Sequence, residues 1–169
     1  MNKPSTRTVV ALCVAALLVF TVAFVGVLTV LVRKAGHPDP TVTAYAHGKT
    51  VTVPPFLYCT VKMEDCKYGE TVVLDVPAGY PLQLSLPKRI ADAPWLAQLV
   101  YALPTGEKVD RVVSRNDFPE GALAVTIDSK PEPELRLVGI ELQLPILARD
   151  ETGREFYVPH AAWSISTSS

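Results

Sequence analysis

Three kinds of side chain in this 169-residue chain are spaced so that chemistry is conceivable, beginning with Cys59 and Cys66, which have six residues between them. A thioredoxin-like redox site places two residues between its cysteines, and a zinc site draws on closer pairs and more ligands. A structural disulfide is the favoured reading. Closing so short a loop stabilises by about 2.5 kcal/mol in the chain-entropy picture, and it would staple the segment from Thr60 to Asp65 into a protruding loop.

His47 and His160 fall in the first hairpin and the last strand expected below, where a sandwich could bring them together to hold copper or zinc. Two imidazoles are too few for a metal centre, and His37 belongs to a linker. Neighbouring carboxylates, Glu64-Asp65 and Asp150-Glu151, raise the question of paired-acid chemistry on glycans. Adjacent residues on a strand point to opposite faces, so they gain no partnership from adjacency. There is no Gly-x-Ser-x-Gly, and the nine glycines are all isolated, so neither a phosphate-cradling loop nor a dinucleotide fingerprint is present. No catalytic residue, cofactor or metal ligand is assigned, and the chain is expected not to be an enzyme.

The elements that position these residues divide sharply. From Thr8 to Val32 run 25 residues without a charge, bracketed by Lys3 and Arg7 before and Arg33 and Lys34 after. As a helix this stretch reaches about 37 Å, enough to cross a hydrocarbon core of about 30 Å. It is too long for a cleaved secretory signal, so it reads as a signal-anchor. Cys13 has Leu12 before it where lipid acylation wants a small residue, and reads as an apolar lipid-facing side chain. The flanking charges are nearly balanced. The short leading tail and the cysteine pair favour the amino terminus inside and the domain outside.

Four of the 16 basic residues flank this span, which leaves the remainder with 12 against 17 acidic and a net charge of −5. A nucleic-acid binder would show the opposite excess. The expected organisation is a cytoplasmic tail at 1–7, a transmembrane helix at 8–32, a stiff linker at 33–40, a β-sandwich at 41–166 and a tail at 167–169.

Fourteen of the 15 prolines lie beyond the span, which leaves little room for long helices. Strands are expected at Thr41–His47 and Lys49–Val53 around Gly48, then at Thr71–Val76, Leu82–Leu86, Val109–Ser114, Leu123–Ile127, Leu135–Leu147 and Glu155–Ile165. The apolar phase of Leu135 and Leu137 shifts to Ile140, Leu142 and Leu144, which predicts a bulge at Val138-Gly139. Asp150-Glu-Thr-Gly153 carries turn residues, making the last two strands a hairpin. The segment 93–103 fits helix or strand, and strand is favoured by its surroundings. Eight or nine strands with Gly and Pro turns suggest an all-β fold, an antiparallel, immunoglobulin-like sandwich. Trp95 and Trp163 are assigned to its core. Pro54, Pro55, Phe56 and Tyr58 form the candidate partner contact, because prolines fix a strand end and aromatics enrich interfaces, with core packing the favoured reading for Phe56 and Tyr58.

Tyr45-Ala-His-Gly48, Phe56-Leu-Tyr-Cys59, Asp65-Cys66, Val76-Pro77, Pro94-Trp95 and Trp163-Ser-Ile165 together resemble a family of actinobacterial proteins of unknown function. The resemblance spans Thr41 to about Ser166. It implies an envelope address and a paired Cys59–Cys66, and no activity. Lipoprotein-type members carry an acylation box that is missing around Cys13, so the anchor here is expected to be the helix itself. The functional expectation is a membrane-anchored extracytoplasmic module that binds another envelope or membrane protein, with neither nucleic acid nor nucleotide as a partner. A metal or small-ligand carrier and a glycan-acting enzyme stand as the alternatives.

Overall fold

The computed structural model describes residues 6–34 and 39–167, which fall into two units divided after Pro38. Most of the expected leading tail, the centre of the expected linker with His37, and Ser168 and Ser169 lie outside the described residues.

In the first unit α1 runs from Thr6 to Lys34. Val9–Val32 has a mean hydropathy of 2.8, so the helix is long and apolar enough to cross a membrane. Its two central hydroxyls are returned to the helix's own backbone: Thr21 Oγ1 donates to Leu17 O at 2.7 Å and Thr29 Oγ1 to Val25 O at 2.6 Å. Cys13 is a free, exposed thiol on this helix.

The second unit begins with β1 (Val42–Ala46) and β2 (Lys49–Val53), joined by His47 at φ 43° and Gly48 at φ 80°. Two successive positive φ values define the tight turn whose twist suits a two-residue hairpin, and Gly48 supplies one of them at no steric cost. Pro54 and Pro55 then carry the chain across to a second sheet. There follow β3 (Leu57–Tyr58), β4 (Lys67–Tyr68), β5 (Val72–Val73) and β6 (Leu82–Ser85). A one-turn helix, α2 (Lys88–Ala91), precedes β7 (Leu96–Ala102) and β8 (Lys108–Ser114). The chain closes with β9 (Ala124–Ile127), β10 (Arg136–Arg149) and β11 (Glu155–Ser166).

One sheet has the order β2-β1-β6-β9; the other is β4-β3-β11-β10-β7-β8, with β5 added in parallel alongside the end of β11. All other pairings are antiparallel. Both sheets feed one core: Val42, Ala44, Leu82, Leu84, Val125 and Ile127 from the first meet Leu99, Tyr101, Leu137, Ile140, Leu142 and Trp163 from the second. Burying each large aliphatic side chain contributes about 1.5–3 kcal/mol, and the arrangement is sandwich-like.

The strand reading of 93–103 holds: Ala97, Leu99 and Tyr101 point inward with period two. The register of β10 against β7 shifts between Leu137 and Gly139, where the change of phase placed the bulge. Two expectations need correction. Thr71–Val76 shrinks to a two-residue strand, because only Val72 and Val73 enter the ladder with β11 and Leu74 adds a single hydrogen bond, from its N to Ser166 O at 3.0 Å. Among the described residues the strand count rises to eleven, because β3 and β4, of two residues each, were too short to show a period.

Candidate functional site

Strand β3 pairs with β4 through Leu57 with Tyr68 and Tyr58 with Lys67, so the next residues outward, Cys59 and Cys66, meet across the neck of the hairpin. Their sulfurs are 2.09 Å apart, at bonding distance. The segment Thr60–Asp65 then protrudes, as the spacing predicted, and it is not loose. Thr60 N donates to Glu64 O at 2.9 Å, Met63 N to Thr60 O at 2.8 Å, and Glu64 N to Thr60 Oγ1 at 3.1 Å. Gly69 N donates to Phe56 O at 2.8 Å, and a Cβ on Gly69 would stand 2.5 Å from Pro55 O. Only glycine allows the two chains so close an approach.

Beside this loop lies the tip of the longest hairpin. Cys59 N donates to His160 O at 2.7 Å, and β3 ceases to pair with β11 after Ala161. At the same level β11 has one residue more than β10: Leu144 faces Ala161, while Pro145 faces Pro159. His160 is that extra residue. Its Nδ1 lies 2.8 Å from Leu144 O, and since a carbonyl only accepts, Nδ1 carries the proton. Beyond the bulge the two arms, Pro145–Arg149 and Glu155–Pro159, run on as a pair. Their turn is closed by Asp150 Oδ1, which accepts from Thr152 N, Thr152 Oγ1 and Arg154 N. The Thr152 hydroxyl above all, with the backbone N–H groups, holds the Asp150 carboxyl below its ordinary pKa.

The described part of the domain also starts at this end. Lys67 Nζ donates to the Asp39 carboxylate at 2.9 and 3.0 Å, and Trp163 Nε1 donates to Pro40 O at 2.8 Å. From there β1 runs away from the disulfide end.

The histidines do not converge. The His47 ring packs on Tyr80 with centroids 4.1 Å apart, and its neighbour Lys49 pairs with Asp75 at 3.1 Å, beyond the far end of β11. His160 sits at the disulfide end, with one ring nitrogen engaged. Among the described residues no three potential metal donors cluster. Three surface depressions, of about 260, 440 and 470 Å³, each include one carboxylate in their lining, Glu141, Glu134 and Asp128 respectively. None of the three brings two acids together. Burial raises the Tyr101 phenol above its ordinary pKa, opposed by Arg111, whose guanidinium stands 5.6 Å over the ring, and aided by Asp128. That hydroxyl donates to Asp128 O at 2.9 Å, a structural tie between β7 and the end of β9.

Of the candidate contact residues, Pro54 and Phe56 are exposed, Pro55 is half-buried, and Tyr58 packs against the core. Reading the sequence missed a second set: Val61 and Met63 in the loop, and Leu147, Phe156 and Tyr157 on the hairpin arm, all exposed. Facing prolines, Pro145 and Pro159, were the available signal that the sheet ends there.

A family model described as a protein of unknown function, DUF2771, matches residues 35–168. The chain belongs to the DUF2771 family. Uncharacterized proteins of Mycobacterium bovis and of two Mycobacterium tuberculosis strains are each 37% identical to it over 161 residues, covering 94% of this chain and 96% of theirs. Such near-complete coverage means that the relatives extend over α1 as well as the DUF2771 domain. The expected likeness to actinobacterial proteins of unknown function is therefore established. No solved structure matches the DUF2771 chain.

Proposed function

We propose that this DUF2771 protein is a single-span protein of the cell membrane whose immunoglobulin-like domain lies on the outer side as a non-enzymatic binding or accessory module of an envelope or membrane complex. The observation that carries this reading is the bonding geometry of Cys59 and Cys66 in a domain that follows a helix of membrane-spanning length. A disulfide persists on the oxidising side of a membrane, and the helix keeps the hydroxyls of Thr21 and Thr29 satisfied without water. Two antiparallel sheets around a central tryptophan support the immunoglobulin-like character. The cysteine pair differs from the inter-sheet bridge of antibody domains, since it closes one hairpin. Among the described residues Tyr101 and Asp150, whose pKa values are displaced, both serve structural hydrogen bonds.

Crosslinking in intact membranes tests the module. A specific protein adduct recovered across growth conditions supports it, and recovery of monomer alone removes it. External protease on whole cells tests the side, because an outward domain is digested without lysis.

A further inference from the structure

We infer that the outer face of the larger sheet binds an acidic oligosaccharide, with Gln98, Glu141 and Ser164 holding its hydroxyl groups and Lys108 and Arg136 its carboxylate or phosphate. The inference concerns the domain alone and does not depend on which side of a membrane the domain lies. Residues that pair across a sheet share a face, so the register places these side chains. Glu141 pairs with Gln98 on one side and with Ser164 on the other, which sets the three in one row across β7, β10 and β11, turned away from the buried Leu99, Ile140 and Trp163. Thr71 extends the row, its Oγ1 donating to Ser164 Oγ at 3.0 Å. Gln143 Nε2 donates to Glu141 Oε1 at 2.8 Å and orients the carboxylate. The row therefore combines a carboxylate that only accepts with an amide and hydroxyls that both donate and accept. That mixture matches a ligand rich in hydroxyl groups, and Asp110, opposite Val100 on the edge strand, is a further acceptor for them.

The next row along the strands has no side chain at its centre. Gly139 pairs with Val100 and with Ser166, and a Cβ there would meet nothing nearer than Ile165 O at 3.6 Å, so the face dips between its two neighbours. One row further, Ala102 pairs with Lys108 on one side and with Arg136 on the other. Two long cations thus flank a single methyl group, on backbones about 10 Å apart. Among the described residues neither Lys108 nor Arg136 enters an ion pair, although acidic residues outnumber basic ones in the domain. Cations left without a carboxylate over a small residue suit an incoming anion, and the planar fork of Arg136 matches a carboxylate or a phosphate. Lys108 and Gly139 line the depression of about 260 Å³, Arg136 and Ala102 that of about 440 Å³, and Val138, the extra residue of the first bulge, lines both. From the hydroxyl-binding row to the cationic row is about 13 Å along β7. A lone inorganic anion cannot touch both rows. A short chain of sugar units with one acidic group reaches from one to the other, with Val100 and Val138 as apolar ground beneath the C–H faces of its rings.

The test is titration calorimetry on the full chain, solubilised in a detergent without sugar head groups. The probes are trigalacturonate, a phosphorylated mannotriose, neutral mannotriose and inorganic phosphate. The expected result is that at least one of the two acidic trisaccharides binds, which of them does so telling carboxylate from phosphate, and that neutral mannotriose and inorganic phosphate bind about tenfold more weakly or less. Lys108→Ala and Arg136→Ala should each weaken the acidic probe about tenfold, the effect of one lost charge-assisted hydrogen bond, and Gln98→Leu should weaken it too. Lys62→Ala, which removes an exposed cation of the stapled loop, should leave it unchanged. An unaltered thermal midpoint shows that each variant folds. Binding of neither acidic trisaccharide overturns the inference. Inorganic phosphate that binds as tightly as they do, with Gln98→Leu without effect, reduces the face to a simple anion site and overturns the oligosaccharide. Equal affinity for neutral and acidic probes, insensitive to Lys108→Ala and Arg136→Ala, overturns the acidic assignment.

Discussion

His160 donates its Nδ1 proton to the carbonyl of Leu144 across the one point where β11 carries a residue more than its partner. The side chain of the extra residue thus satisfies an acceptor that the interrupted ladder would otherwise leave open. His160→Phe keeps a ring and removes the donor, and we expect a loss of about 1 kcal/mol, read as a lower denaturant midpoint at unchanged slope.

Alkylation under denaturing conditions reads the cysteines directly. Of the three, Cys13 is free and Cys59 and Cys66 are at bonding distance. Unreduced protein should take up label at Cys13 alone, and reduced protein at all three. Cys66→Ser should lower stability by about 2–3 kcal/mol. Full labelling of Cys59 and Cys66 without reductant would show that no bridge forms.

Two glycine substitutions should differ sharply. Gly69→Ala drives a Cβ to 2.5 Å from Pro55 O, a backbone atom that cannot swing aside, and should cost about 1–3 kcal/mol. Gly139→Ala, at the first bulge, meets Ile165 O at 3.6 Å, an ordinary contact, and should change stability by less than about 1 kcal/mol. Thermal unfolding of the two variants side by side checks the contrast.

The acid and alkaline limits follow from two groups. Asp150 in the fold ionises below its ordinary value of 3.8, so the folded state binds fewer protons than the unfolded one in that range. Its contribution is present above about pH 4 and is lost as pH falls through the folded pKa; amide exchange in the Asp150–Arg154 turn should accelerate there. Tyr101 ionises above its ordinary 10.0, so its contribution is complete below that pH and declines as pH rises past it. Asp150→Asn should flatten the acid limb, and Tyr101→Phe the alkaline one.

Sequence made much of the fold legible where periodicity had room to speak. Leu82, Leu84 and Leu86 alternate cleanly and are buried together, and the change of phase placed a bulge at Val138-Gly139, where the register shifts. Thr152 and Gly153 after Asp150 carried the turn chemistry of the last hairpin. The second bulge stayed hidden because Phe156 to Trp163 is apolar almost throughout, so an inserted residue breaks no visible alternation. The candidate site was half legible. The cysteine spacing announced a stapled loop, but the apolar arm beside it depends on where β3 stops pairing, a tertiary fact that Leu147 and Tyr157 do not encode locally. Likewise His47 and His160 shared a fold in expectation, while the direction of β1 from Pro40 sends them to opposite ends.

The indole of Trp163 ties the first described residues of the domain, at Pro40, to the middle of its longest pair of strands. A pull applied at the start of the domain would meet the Asp39–Lys67 ion pair on the edge strand β4 first and then, at Pro40, the largest of the fully buried side chains. Load entering there is in this way passed from a surface ion pair to the strand pair at the centre of the larger sheet.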